Sequence, residues 1–313
     1  MKAIVFTKYG SPDVLQLKEL EKPTPRDNEV LVKVYAASVN SADWHRLRGD
    51  ARIMGSGLLA PKHKIPGADL AGKVEAVGTD AKAFKPGDEV FGDISGCGWG
   101  AFAEYACVSE EALMLKPVNI RFEEAAAVPM AGVTALQALR DHGHVHLAQK
   151  VLINGASGGV GTFALQIAKS YGAEVTAVCS TKNVDIAHSL GADHVIDYTQ
   201  EDFTKSEQRY DLILGANGYH SISDYKRALS PKGIYVMSGG SSRQMLQAMI
   251  LGSWIARPSK SDLAVLKELI EAGKVRPAID RIYPLSGVCE ALRYLGEGHA
   301  KGKIVITLEH ADN

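Results

Sequence analysis

From Met1 to about Val118 the chain reads as short apolar or alternating runs, "KAIVF", "EVLVKVYAASV", "GKVEAVG", "DEVFGDI" and "AFAEYACV", separated by "KYGSPD", "KPTPRDNE" and "FKPGDE". A period of two punctuated by Gly, Pro and Asp predicts strands of an all-β, barrel-like segment. From about Asn119 the period lengthens, and helical patterns alternate with "VLIN", "EVTAVC", "HVIDY", "YDLILGA", "GIYVMSG" and "SWIARP". Such βα alternation predicts a parallel sheet with helices on both faces. In "DLAVLKELIEAGK", Leu263, Leu266, Leu269 and Ile270 mark one apolar helix face. The alternation stops near "EAGKVRPAIDRIYPL", and the closing "GKIVITL" predicts a last strand that rejoins the β-rich part.

Candidate chemistry concentrates in "VLINGASGGVGTFALQIAKSYGAEVTAVCST", Val151 to Thr181. Gly155, Gly158 and Gly161 follow an apolar strand, and Phe163, Ala164, Ile167, Ala168 and Tyr171 then recur at helical spacing. The turn therefore opens a helix whose unpaired N–H groups and positive dipole end attract an anion. Missing Cβ atoms let a phosphate reach the backbone, and with "EVTAVC" as the next strand the unit is the start of a dinucleotide-binding βαβ. NAD sites usually place an acid at the end of that second strand for the ribose 2′-OH, but here stand Ser180, Thr181 and Lys182, with no acid before Asp185. Two hydroxyls and an ammonium suit the 2′-phosphate of NADPH, and Tyr198, ending "HVIDY", adds a hydrogen bond or a stacking face near the adenine. "LGANG" (Leu214 to Gly218) and "SGG" (Ser238 to Gly240) end the fourth and fifth strands, where open α/β sheets bind ligands.

Length and charge narrow the setting. A chain of 313 residues is expected to form two domains, and 35 basic against 36 acidic residues leave no global field for nucleic acid or an anionic membrane. The four cysteines, Cys97, Cys107, Cys179 and Cys289, form no CxxC pair, which fits a reducing, cytoplasmic setting. No stretch approaches the roughly 18 apolar residues of a membrane span. His142, His144 and His146 in "HGHVH" alternate as metal ligands on a strand do, yet they join a helix to a strand and read as a surface loop with only Asp141 nearby.

The whole chain resembles a zinc-free medium-chain dehydrogenase/reductase of the quinone oxidoreductase group. The matching features are "AASVNSADW" (Ala36 to Trp44), "PGADLAGKVEAVG" (Pro66 to Gly78), "FKPGDEVFG" (Phe84 to Gly92), "AAAVPMAGVTALQAL" (Ala125 to Leu139), the glycine-rich turn, "LGADHVIDY" (Leu190 to Tyr198) and "GKIVI". The resemblance implies an α/β chain with a GroES-like β-barrel substrate domain over residues 1–118, completed by 276–313, and a six-stranded parallel Rossmann domain binding NADP over 119–275. It also implies an active site in the cleft and a homodimer. The positions that hold catalytic zinc in related alcohol dehydrogenases are here Asn40, Ala68 and Met130, and Cys97 and Cys107 cannot make a four-thiolate structural site.

Without a Lewis acid, alcohol oxidation at neutral pH is difficult, whereas hydride transfer from NADPH to a quinone or an activated C=C bond asks only for placement and hydrogen-bond donors. The implied function is a metal-independent reductase of a small electrophilic acceptor. Asn40 is the implied positioning donor, with Asp43, Trp44 and His45 near the substrate. Thr134, Ser157, Gly158, Gly159, Val160, Gly161, Ser180, Thr181, Lys182, Tyr198, Gly215, Asn217, Ser238, Gly239 and Lys303 are the expected cofactor contacts. Arg46 and Arg48 offer cations in the same helical turn as His45. The alternatives are an enoyl thioester reductase, or an NADPH-binding sensor or structural protein without turnover; near-neutral charge weighs against an RNA binder.

Overall fold

The computed structural model describes residues 1–50, 57–216, 220–238 and 257–310. Strands β1 (Lys2–Val5), β2 (Gln16–Glu19) and β3 (Glu29–Val39) lead into helix α1 (Ser41–Arg48). Strands β4 (Asp69–Val77), β5 (Glu89–Asp93), β6 (Tyr105–Ser109) and β7 (Leu113–Leu115) follow, then helices α2 (Phe122–Ala126) and α3 (Pro129–Gln137). After these come β8 (Lys150–Asn154), α4 (Gly159–Ser170), β9 (Glu174–Cys179), α5 (Val184–Ser189), β10 (His194–Asp197), β11 (Tyr210–Gly215), α6 (Ile222–Ala228) and β12 (Leu229–Met237). Helix α7 (Lys260–Glu271), β13 (Ile279–Pro284), α8 (Val288–Gly296) and β14 (Lys303–Thr307) close the described chain.

Contacts divide the chain into two units. The first comprises Met1–Met130, Pro258–Glu271 and Ile279–Asn313; the second comprises Ala131–Arg257 and Ala272–Ala278. Residues 119–130 and 258–271 thus group with the β-rich unit by contact, where the resemblance draws its boundaries at 118/119 and 275/276.

In the first unit the main sheet runs β13-β14-β3-β4-β5-β7, and β6 also pairs with β3. The long strand β3 alternates over its first half because Val30, Val32 and Val34 face the core, which they share with Leu70, Val74, Val90, Phe102, Ile304 and Ile306. Closing strand β14 lies antiparallel to β3, with Ile304 opposite Val39, so the C-terminal segment joins the sheet built on the N-terminal strands β3 to β7, while β1 and β2 pair apart. That register decides the chemistry below, because it brings Lys303, beside Ile304, to the end of β3. Helix α8 seals the core with Val288, Ala291 and Leu292. Helix α7 buries Leu263, Leu266 and Ile270, the apolar face expected for it; Leu269 is only partly buried.

Among the described residues the second unit is a five-stranded parallel sheet, order β10-β9-β8-β11-β12. The order reverses between β8 and β11, the switch point at which such sheets open a ligand crevice at their C-terminal ends. The sixth strand, expected at "SWIARP", falls on 253–258, of which 253–256 lie outside the described residues. Leu152, Val178, Phe203, Tyr210, Ile213 and Tyr225 form the core on one face. Gln166 on α4 donates to the carbonyl of Arg276 and accepts from its N–H, which stitches residues 272–278 to this unit.

Candidate active site

At the end of β8 the chain turns at Gly155, whose φ of 86° is left-handed and suits glycine alone at low cost. The N–H groups of Gly155 and Ala156 both donate to Val178 O on the neighbouring strand, and Gly158 N–H returns to Gly155 O. Gly161 lets helix α4 approach this turn: a Cβ there would lie 2.1 Å from Gly155 O. Gly158 differs. It is the N-cap of α4 with no capping side chain, and a Cβ there would meet nothing nearer than Gly155 O at 3.5 Å. The first N–H groups of α4, those of Gly159, Val160 and Gly161, thus sit behind an uncapped, unfilled approach, which is what a pyrophosphate requires. The donors fit the cofactor that the sequence implies.

A residue the motif did not reveal ties this turn to the second strand. Asn183, buried ahead of α5, donates through Nδ2 to Ser157 Oγ at 2.9 Å and to Ser180 Oγ at 3.2 Å, while its Oδ1 is buried without a partner among the described residues. The only sequence signal was an Asn preceding a helical pattern, which reads as a cap. Lys182 is exposed and Tyr198 is 55% exposed. Thr181 donates to Asp197 Oδ2 at 2.6 Å, so its proton is already directed at a carboxylate.

The end of β9 therefore has an acid beside it after all, supplied by the neighbouring strand. Asp197 closes β10 in register with Cys179, and hydrogen bonds from Thr181, then Thr199 and Gln200, hold its carboxyl below the usual range. Elsewhere in this unit Gly215 ends β11, where a Cβ would come 2.8 Å from Tyr235 Oη; it makes room for packing. Thr134 is buried in α3, and Ser238 follows β12 with a buried Oγ that has no partner among the described residues. Asn217 and Gly239 lie outside the described residues.

Lys303 belongs to the first unit, where it joins Asn40, Asp43, Asp69 and Asp93 in a buried polar cluster. Its ammonium donates to Asn40 Oδ1 and to Val39 O at 3.3 Å, and lies 3.6 Å from Asp69. Asn40 Nδ2 donates to Asp69 Oδ2 at 2.9 Å and reaches Ser38 O only at 3.4 Å. Asp69 also accepts from Ser38 Oγ at 2.9 Å and from Met130 N at 3.0 Å. Asp43 caps the start of α1, accepting Asn40 N–H at 2.8 Å and Gly67 N–H at 3.1 Å.

Across the β4–β5 ladder Asp93 stands directly opposite Asp69, and Asp93 accepts from Ser95 N at 2.8 Å. Burial first, then the Asp69 charge, pushes the Asp93 carboxyl up to about 7. Burial likewise lifts Asp43 to about 7 against the two N–H groups it accepts. Burial also drives Asp69 up and Lys303 down, each opposed by the other's charge.

The other expected substrate contacts are not gathered into this cluster. Trp44 packs against the core, where its ring leaves no room for a Cβ on Gly296 of α8. His45 pairs with Asp50 at 2.9 Å on the surface. Arg46 is buried, its guanidinium over the Phe6 and Trp99 rings at 5.3 and 4.6 Å and its Nη2 donating to His63 O.

Comparison with known proteins fits both units. The model of the alcohol dehydrogenase GroES-like domain matches residues 26–118, and that of a zinc-binding dehydrogenase matches residues 190–306. A 2-methylene-furan-3-one reductase of Solanum lycopersicum is 37% identical over 320 residues, covering 98% of this chain and 79% of the relative. An NADPH-dependent alkenal/one oxidoreductase, chloroplastic, of Arabidopsis thaliana is 36% identical with the same coverage. The solved quinone oxidoreductase of Coxiella burnetii superposes with a TM-score of 0.87 at 31% identity, covering 99% of each chain. This chain is a medium-chain dehydrogenase/reductase of the quinone oxidoreductase group.

Within that family the zinc question turns on donors. At the three positions matched to zinc ligands, Asn40 is engaged with Asp69, Ser38 and Lys303, Ala68 has no donor atom, and Met130 is tied through its N–H to Asp69. A thioether is a poor zinc ligand, and the Asp69 carboxylate next to Ala68 is already paired with the Lys303 ammonium at 3.6 Å. Among the described residues no three His, Cys, Asp or Glu side chains are grouped to hold a metal, the "HGHVH" histidines included. This donor set does not suit zinc.

Proposed function

We propose that this medium-chain dehydrogenase/reductase is an NADPH-dependent, metal-independent oxidoreductase acting on quinones or on activated C=C bonds of enones and enals. The observation that carries the reading is the open N-terminus of α4: an uncapped first turn with room at Gly158, beside the Ser180 hydroxyl and Lys182 at the end of β9. The first turn of α4 holds the pyrophosphate, and Ser157 and Ser180, aligned by Asn183, together with Lys182 receive the 2′-phosphate. NADPH, when bound, supplies the hydride. Asn40 receives the acceptor oxygen through the amide proton that Ser38 O holds only at 3.4 Å, and thereby stabilises the charge left on that oxygen.

The fourfold-bonded Asp197 sets a limit on cofactor preference. Its charge stands beside the phosphate-binding residues, so the preference for NADPH rests on Ser180 and Lys182 outweighing a nearby carboxylate. Titration of each cofactor against Ser180→Ala/Lys182→Ala checks this: NADPH affinity is expected to fall by about tenfold or more, roughly 1.4 kcal/mol, with NADH changed less than about twofold. Equal losses remove the phosphate site from these residues. An acceptor panel of a quinone, an enone and an enoyl thioester then identifies the substrate class, and tight NADPH binding with no consumption across the panel favours the sensor reading.

The acceptor is a small molecule, and kinship implies a homodimer, which light scattering tests directly. No helix among the described residues is long and apolar enough to cross a membrane, and all four cysteines are free. Free thiols suit a reducing compartment such as the cytoplasm. Burial lifts Cys97, Cys107, Cys179 and Cys289 above the ordinary thiol range, so none is poised as a nucleophile.

A further inference from the structure

The geometry assigns Lys303 a place as a positioning residue in the hydride-accepting half of the protein: with Asp69 it orients and polarises the Asn40 carboxamide, so that one amide proton is presented to the acceptor oxygen. This deepens the role proposed for Asn40 and rests on that reading.

Three contacts carry the argument. An amide side chain has one acceptor and two donor protons, and here each end meets a fixed charge. Lys303 donates to Oδ1, and Asp69 Oδ2 takes one Nδ2 proton at 2.9 Å. The amide cannot flip without turning its oxygen toward a carboxylate and its NH2 toward an ammonium. The second Nδ2 proton has only Ser38 O, at 3.4 Å, near the outer limit of a useful hydrogen bond, and is the one free to be redirected. A cation on the oxygen and an anion on the nitrogen polarise the amide cooperatively in a buried setting, which strengthens that remaining donor.

The lysine is itself held in place. Val39 O accepts from it at 3.3 Å, and Asp69 is braced by Ser38 Oγ and Met130 N–H. Lys303 is 3% exposed and Asp69 fully buried, so neither is a solvated surface charge. Nothing in these contacts directs the lysine to the nucleotide turn, and all of its partners belong to its own unit.

The test separates this role from a cofactor contact and from mere support. Lys303→Met is expected to lower kcat with a quinone or enone by about 30- to 100-fold, while KM for the acceptor and the Kd for NADPH each change less than about threefold. Asn40→Ala is expected to show a comparable loss, and the double variant to be no worse than the poorer single one, as residues acting through one another behave. If Lys303→Met does not fold, Lys303→Met/Asp69→Asn removes both charges together and is expected to show the same kcat loss.

A second readout needs no turnover: in the NADPH-free protein, hydrogen exchange of the Asn40 side-chain amide, followed by NMR, is expected to speed up at least tenfold in the lysine variant. A wild-type protein inert toward every acceptor sinks the proposed function but leaves this exchange result standing. Unchanged exchange, additive losses in the double variant, or a loss confined to NADPH affinity overturns the assignment.

Discussion

Gly158→Asp is expected to abolish NADPH binding, by at least about 100-fold or roughly 2.7 kcal/mol, while leaving the melting temperature unchanged or slightly raised. Gly158 has φ −81° and ψ 175°, ordinary extended backbone that any residue adopts, and a Cβ there meets only Gly155 O at 3.5 Å. No packing is disturbed. The position is the N-cap of α4, where an Asp carboxylate accepts from the N–H groups of Val160 or Gly161 and favours the helix by about 1 kcal/mol. Those are the donors a pyrophosphate would use, so the same charge that stabilises the free protein competes with and repels the ligand.

Gly161→Ala is the contrasting variant. Its Cβ would lie 2.1 Å from Gly155 O and 2.7 Å from Ala156 Cα, so it loses stability as well as binding. Fluorescence titration of NADPH beside thermal melts checks the pair, and a Gly158→Asp protein that binds NADPH normally removes the nucleotide from this turn.

What the sequence reveals here depends on how far apart the interacting groups lie along the chain. The nucleotide turn is legible because strand, glycines and helix are consecutive: the left-handed φ of Gly155 and the close approach of Gly161 to Gly155 and Ala156 are set within a few residues, and only the Gly155 N–H bond to Val178 O reaches the next strand. The Asn40–Lys303 contact spans 263 positions and depends on β14 pairing with β3 so that Ile304 faces Val39. No local pattern contains that register, and kinship alone had linked Lys303 to the cofactor. Asp197 is hidden for the same reason: it ends the third strand in sequence but stands beside the end of the second in space.

Missed strands have a simpler cause. All four residues of β2 are exposed, and β13 buries only Tyr283 fully, so neither shows the apolar alternation that betrays a half-buried strand. They are strands because β1 and β14 offer them free edges. By contrast, the capping of α1 is a local matter: Asn40 and Asp43 stand three apart ahead of a helical turn, and the Asp43 carboxylate accepts the Asn40 N–H.

The cross-strand acids predict an inverted pH dependence. Asp69 and Asp93 face each other on β4 and β5, both buried, with the Lys303 ammonium 3.6 Å from Asp69 and with Asp43, which the Arg46 charge also reaches, nearby. Like charges directly opposite in a ladder are unfavourable, and one ammonium neutralises one carboxylate. With the ammonium beside Asp69, two acids are left over, and Asp93 keeps its proton up to about pH 7, as Asp43 does. An acid whose folded-state value lies above its unfolded value near 3.8 binds more protons in the native state, so its contribution is complete below about pH 4 and is lost as pH rises to about 7.

At about 1.4 kcal/mol for each pH unit, that window amounts to at most about 4 kcal/mol. Surface acids held low, such as Asp193 and Asp224, work in the opposite sense but only at lower pH, so the interval from pH 5 to 8 reports the buried acids, Asp43 among them, and the difference from Asp93→Asn gives the share of Asp93. Asp93→Asn keeps an acceptor for Ser95 N–H and can donate toward Asp69 across the ladder. The wild-type melting temperature is expected to fall from pH 5 to pH 8 by about 5 °C more than that of Asp93→Asn, the variant being the more stable protein at pH 8. Parallel melting curves for the two proteins across this interval would mean that Asp93 is ionised throughout, and that the cluster holds a second negative charge that the structure leaves unbalanced.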